Sequence, residues 1–214
     1  QLLHWQDIAS YGPLIRSSFL IAATASLAAL LLVLAWSYTA LPKNFTNRWL
    51  LGCIFMPFFI PQISFLLGMQ ISISRFGLDG TWLALIWVHM IFVLPYTWLI
   101  VIPARQALDS RLDHVAATLG ASAWQRFRRI HLPLMAYPLG TALFIGISVS
   151  VALYLPTVFV GAGRINTITV EAVSLAAGGS RGPAGVAAML QIAIPLLSFV
   201  VINSWLRFRF AGFA

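Results

Sequence analysis

Hydrophobic residues fall in five long runs separated by short polar breaks, and this spacing sets the expected architecture before any single residue is considered. The first run covers residues 14–38, interrupted only by Arg16, and closes at Leu41, Pro42, Lys43, Asn44 and Arg48. The second covers 49–73 and contains Pro57, Pro61 and Gly68, so it predicts a kinked helix whose freed carbonyls neighbouring helices must satisfy. A turn-rich break from Arg75 to Gly80 precedes the third run, 81–102, which holds His89 and Pro95. The fourth, 134–160, carries Ala142, Gly146 and Ser150 four residues apart, a small-residue stripe that lets membrane helices approach closely. A break over 161–182 with Gly161, Gly163, Gly178, Gly179 and Gly182 reads as a loop, and the fifth run, 183–205, ends at Arg207 and Arg209.

A membrane span needs about 20 apolar residues, so each run is long enough to cross a bilayer. Composition agrees: 60% of the residues are hydrophobic and 8% charged, against about 25% charged in a soluble domain. The expected fold is therefore all-α, a polytopic membrane protein with about five transmembrane helices. Residues 1–13 form an N-terminal flank and 14–214 the membrane domain, with a polar loop at 104–133.

The net charge of +8 is explained by topology. The thirteen Lys and Arg residues are spread over short loops rather than interleaved with aromatics on one face, which gives no nucleic-acid signature. Nine of them, Lys43, Arg48, Arg105, Arg111, Arg126, Arg128, Arg129, Arg207 and Arg209, fall on one side of a five-span arrangement, and four fall on the other. The richer side is expected to be cytoplasmic. That puts 104–133 inside and both the N-terminus and 161–182 outside; an outside N-terminus fits a chain preceded by another span, and Gln1 in place of an initiator Met reads as a fragment, a processed start or the cut half of a longer chain. Cys53 lies alone in an apolar stretch and reads as a packing residue.

The polar loop has its own pattern. Leu108, Leu112, Val115 and Leu119 are spaced by four, three and four residues, with Asp109, Arg111, Asp113 and His114 between them, which predicts an amphipathic helix. Gly120 sits where a helix C-terminus favours positive φ, and Ser122 followed by Gln125 reads as a capping box. A second helix carries Trp124, Phe127 and Ile130 among Arg126, Arg128 and Arg129, and Leu132 and Pro133 lead into the fourth run. Ala116, Ala117 and Ala121 leave the tip without bulk. Such a helix, turn and helix has the shape of a docking element.

The run AATLGASAWQRFRRIHLP, from Ala116 to Pro133, resembles the EAA motif of ABC-importer permeases: EAA, three residues, Gly, nine residues, Ile, any residue, Leu, Pro. Gly120, Ile130, Leu132 and Pro133 match in spacing. His114 stands at the Glu position and Val115 at the first Ala, so only Ala116 of the opening triplet matches, and Asp113 is the acid available one residue earlier. Five spans with the motif between the third and fourth also resemble the core of type I importer permeases. Within that family the chain is similar to the C-terminal half of fused two-half permeases such as the thiamine and iron(III) importers.

The resemblance implies a solute pathway and a coupling loop seated on a separate cytoplasmic ATPase, with Asp113, His114, Ala116, Ala117, Gly120, Trp124, Arg126, Phe127, Ile130, Leu132 and Pro133 at the contact. It also implies a second permease half and an extracytoplasmic solute-binding protein, in a bacterial-type inner membrane. The outer loop with Arg164 and Glu171 is either the binding-protein contact or a structural loop, and Arg126, Arg128, Arg129 and His131 face either the ATPase or lipid headgroups.

Other chemistry finds little support. A P-loop needs Gly, four residues, Gly, Lys and Ser or Thr, but the one Lys is Lys43 in LPKN, so ATP and Mg are expected on the partner and no cofactor or metal on this chain. No HExxH or GxSxG occurs, so the chain reads as no enzyme. The alternative, an ion-coupled secondary transporter, wants an intramembrane carboxylate, whereas Asp7, Asp79, Asp109, Asp113 and Glu171 all lie in loops or flanks. Inside the runs, His89 and Gln62 are the candidate pathway residues; a hydrogen bond within the bundle is the other role open to His89.

Overall fold

In hydrocarbon a chain must satisfy its own backbone, which leaves the helix as the natural form for five apolar runs. The computed structural model, which describes residues 10–39 and 48–210, contains no strand among those residues. Its helices are α1 (Gly12–Thr39), α2 (Arg48–Phe59), α3 (Gln62–Arg75), α4 (Trp82–Gln106), α5 (Ser110–Thr118) and α6 (Ala123–Arg126). A π-helical turn (Phe127–His131) follows, then α7 (Leu132–Leu134), α8 (Ala136–Ala152), α9 (Leu155–Gly161), α10 (Ile168–Ala177) and α11 (Arg181–Phe210). Residues 1–9 of the expected flank, Asp7 among them, and the loop residues Leu41, Pro42, Lys43 and Asn44 lie outside the described residues.

α1, α4 and α11 are long and apolar enough to cross a bilayer unbroken. Two further pairs qualify as bent units: α2 with α3, turned by 108°, and the segment Ala123–Leu134 with α8, turned by 69°. Counting each pair as one span gives the five expected.

Three expectations are corrected in detail. The second run is broken rather than kinked: α2 and α3 have 12 and 14 residues, each about 20 Å long and too short to span alone. Pro61 has no N–H to return to the carbonyl of Pro57, so the chain turns at Ile60 and restarts with Pro61 as N-cap. The fourth run ends at Ala152 rather than 160, because Pro156 cannot donate to the Ala152 carbonyl; Leu153 turns extended (ψ 97°) and α9 begins afresh. The glycine-rich stretch 161–182 is not all loop. Thr167 accepts from the Val170 N–H and starts α10, whose Ile168, Thr169 and Ala172 are buried.

α4 is the most buried of the three long helices and packs between α1 and α8. The small-residue stripe makes this possible: Ala142, Gly146 and Ser150 are all buried. A Cβ on Gly146 would stand 2.8 Å from Ser26 Oγ and 3.0 Å from Val93 Cγ1. α11 instead turns Met189, Ile192, Leu197 and Val201 outward, each more than half exposed, as a surface meeting lipid or another apolar subunit would. Because α4 rises for 25 residues, the turn at 76–81 and the polar segment at 107–133 lie at opposite ends of it, about 38 Å apart.

Candidate functional site

The segment after α4 folds as an elbow, held by local bonds at each corner. Asp109 N-caps α5 by accepting from the Arg111 N–H at 2.9 Å. At the far end the Ala121 N–H donates to the Ala116 carbonyl at 2.9 Å and the Gly120 N–H to the Ala117 carbonyl at 3.0 Å. That pair of bonds is a Schellman closure, and it requires the left-handed backbone that Gly120 adopts at φ +80°. Ser122 and Gln125 then form the reciprocal capping box: the Ser122 N–H donates to Gln125 Oε1 at 2.8 Å, and the Gln125 N–H donates to Ser122 Oγ at 3.3 Å. Arg126 Nη1 returns to the Ala121 carbonyl at 2.9 Å, bracing the corner from the second arm.

The second arm departs from the regular helix expected. Pro133 cannot donate to the Arg129 carbonyl, and the turn before it widens to a π-helix in which the Leu132 N–H bonds the Phe127 carbonyl. Ile130 and Pro133 are half-buried in this arm and Leu132 stands at its surface.

Two faces of the elbow differ in chemistry. Outward lie apolar side chains that the chain does not cover: Leu119 is 82% exposed, Trp124 65% and Val115 59%, and the Trp124 ring stacks on Phe127 at 5.5 Å. Ala117 and Gly120 are exposed at the tip and Ala116 half-buried. His114 is exposed and its Nδ1 lies 2.8 Å from the Ser110 carbonyl of its own helix.

Inward, Asp113 Oδ1 lies 2.8 Å from His131 Nε2 and 3.6 Å from Arg126 Nε. Buried His131 stacks on the Tyr38 ring at 5.3 Å, and Phe127 meets the same ring edge-on at 5.0 Å. The Arg105 guanidinium stands 4.6 Å over the same Tyr38 ring. The reading of the sequence missed Tyr38 and Arg105, since no local pattern joins the last turn of α1 to a segment some ninety residues later.

Away from the elbow, His89 is fully buried between helices, with Nδ1 2.8 Å from Ser150 Oγ and Nε2 3.2 Å from Thr157 Oγ1. Gln62 instead lines a cavity of about 360 Å³ at the break between α2 and α3, together with Pro57, Phe58, Phe92 and Tyr96. The two candidate pathway residues are thus not brought to one site. At the opposite end of α4, exposed Arg164 donates from Nη1 to the Asp79 carbonyl at 3.3 Å and lays its stem over Gly80. Glu171 lies half-buried in the first turn of α10. No cluster of His, Cys, Asp and Glu able to hold a metal occurs among the described residues.

A bundle of continuous and broken spans with a capped, apolar-tipped elbow at one end defines a multi-pass helical membrane protein. Residues 32–211 match the binding-protein-dependent transport system inner membrane component family, and the chain belongs to that family. It is 37% identical over 177 residues to the inner membrane ABC transporter permease protein YnjC of Escherichia coli K12, covering 83% of this chain and 34% of that protein. A protein of Salmonella paratyphi A named for 2-aminoethylphosphonate transport, the permease PhnV, is 29% identical over 71% of this chain and 58% of its own length. The chain thus spans between a third and three-fifths of these curated relatives. Among solved structures, a bacterial ABC transporter involved in import of the acidic polysaccharide alginate has a similar fold, with a TM-score of 0.60 at 18% identity over 92% of this chain and 79% of that one. The family expected from the elbow is the family found, and the chain is a multi-pass inner-membrane protein.

Proposed function

We propose that this chain is the membrane-spanning subunit of an ATP-driven importer and that its elbow, residues 104–133, docks on a separate cytoplasmic ATPase. The observation that carries the reading is the uncovered apolar tip. Leu119, Val115 and Trp124 stand in the open on a segment whose every corner is fixed by a cap. Burial of such side chains is worth about 1.5–3 kcal/mol each, so leaving them exposed on a rigid element makes sense where a partner covers them. The excess of basic residues at that end supports a cytoplasmic position.

In this reading ATP and Mg belong to the partner, the chain does no chemistry itself, and the solute crosses along a path shared with a second permease half. Gln62, which lines the cavity at the broken span, is the residue this reading assigns to that path. Discontinuous helices suit such a role because backbone groups freed at the break must find partners inside protein or a water-filled cavity. Arg164 and Glu171, at the other end of the bundle from the elbow, are the residues this reading assigns to an extracytoplasmic binding protein.

The test uses the single cysteine. In a Cys53→Ser background, Leu119→Cys should crosslink to the copurifying ATPase and resist a membrane-impermeant maleimide applied from outside. Labelling of Leu119→Cys from outside, with no crosslink, overturns the proposal.

A further inference from the structure

We propose that Asp113, His131 and Tyr38 form a clamp that carries movement of the elbow into the membrane helices, with Asp113 turned inward as a positioning residue rather than offered to the ATPase. The inference rests on the reading that the elbow meets an ATPase, and adds how force leaves the elbow once it does.

The cluster joins elements that are remote in sequence. Asp113 projects from α5, and its Oδ1 is engaged at 2.8 Å by His131 Nε2, from the end of the π-helical turn. That bond ties the first arm of the elbow to the second at the base, beside the 3.6 Å approach of Arg126 Nε to the same carboxylate, while Arg126 Nη1 and the backbone turn join the arms at the tip. His131 in turn lies nearly parallel to the Tyr38 ring, at 20° and 5.3 Å, in the last turn of α1. Phe127 abuts the same ring at 83°. From α4 the Arg105 guanidinium covers it at 4.6 Å, and Tyr38 Oη lies 3.7 Å from Sδ of Met135, the residue at the 69° bend into α8. One aromatic side chain is therefore held by the π-helical turn of the second arm, by α4 and by the residue that precedes α8.

Such a contact transmits displacement because its parts are stiff. A hydrogen bond to a carboxylate is short and directional, a stacked pair of rings resists tilting, and close-packed groups shift together rather than deform. A push on α5 from below moves Asp113 and bears, through the 2.8 Å contact, on His131 and the ring against which His131 lies. The Asp113 carboxylate is engaged from within the elbow by His131 and Arg126 although its side chain is 32% exposed, while His114, the next residue, is exposed and bonds only its own helix.

The test needs no knowledge of the solute. In the Cys53→Ser background an Ile60→Cys reporter, lining the cavity at the broken span, is labelled with N-ethylmaleimide in the assembled complex, with and without ATP and vanadate. With the elbow otherwise unchanged, ATP shifts the labelling rate. Asp113→Ala and His131→Ala should each keep the ATPase at its usual stoichiometry while reducing that shift at least tenfold, and the double substitution should be no worse than either single one, as expected for two halves of one contact. Asp113→Asn, which keeps an acceptor oxygen, should fall between, and so should Tyr38→Phe, which keeps the ring stack but loses the Oη contact to Met135; these two also serve if the alanine variants fold poorly. A full labelling shift in Asp113→Ala, or effects that multiply in the double variant, overturns the clamp while leaving the docked elbow standing. Loss of the ATPase from Asp113→Ala but not from His131→Ala makes Asp113 a direct contact and also overturns it. A labelling rate insensitive to ATP in the unsubstituted elbow, or an ATPase that never crosslinks to Leu119→Cys, defeats the clamp together with the reading beneath it.

Discussion

Replacing Gly120 tests the elbow most cleanly, because a side chain there would touch nothing. Its backbone stands at φ +80°, yet a Cβ built there meets no heavy atom within 4 Å. Any effect of substitution is consequently torsional rather than steric. An L-residue in the left-handed region costs roughly 1–2 kcal/mol, with Asn the least penalised and β-branched residues the most. If the docked elbow must keep this turn, the cost appears as a smaller population of the docking-competent form, and the apparent affinity for the ATPase falls in proportion. At about 1.4 kcal/mol per tenfold, Gly120→Val should weaken ATPase binding roughly tenfold or more, and Gly120→Asn only about two- to threefold. The assay is titration of purified ATPase onto the permease in nanodiscs, read as the Kd for each variant, with thermal unfolding of the membrane domain as control. Equal affinity for Gly, Asn and Val would refute the reasoning, since the turn would then be free to relax without loss. An Asn variant as weak as Val would refute it too, because the residue's chemistry rather than its torsion would be at stake.

Other substitutions separate docking from packing. Trp124→Ala removes a ring that is 65% exposed and should weaken ATPase association with little change in unfolding temperature; copurification at the unsubstituted stoichiometry would contradict this. Gly146→Ala places a methyl within 3.0 Å of Ser26 and Val93 and should destabilise the bundle by about 1–3 kcal/mol, seen as earlier thermal unfolding in detergent. His89→Leu strips the partner of the Ser150 hydroxyl and should cost about 1–3 kcal/mol while leaving the ATP-dependent labelling at Ile60→Cys intact. Normal unfolding with a lost labelling response would instead put His89 on the solute path.

The features legible in the sequence are those whose causes are local. The apolar runs fix helices because hydrocarbon tolerates few other backbones. The elbow's corners follow from bonds that span three to five residues: Ser122 to Gln125, Ala121 to Ala116, Gly120 to Ala117. The motif at 116–133 identified the family for the same reason, since its Gly turn and Leu-Pro exit are short-range devices. Pro57 and Pro61 were visible, yet their outcome was not: whether a helix bends slightly or breaks through 108° depends on what stands ready to take the freed carbonyls. The glycines of 161–182 suggested loop and concealed α10, whose stability comes from Ile168 and Ala172 packed against the bundle.

Long-range meetings were decided by the tertiary structure alone. The sequence marked Asp113 as a nearby acid, but only the fold turns it toward His131 and sets both beneath Tyr38, 93 positions earlier than His131. Gln62 and His89 both appeared as polar residues in apolar runs, and only packing puts one at a cavity and the other between Ser150 and Thr157. Hydrophobic periodicity and capping act over one or two helical turns, so a chain carries them in its own order. Which side chains face each other across helices depends on crossing, bending and burial, and those are settled when the helices pack.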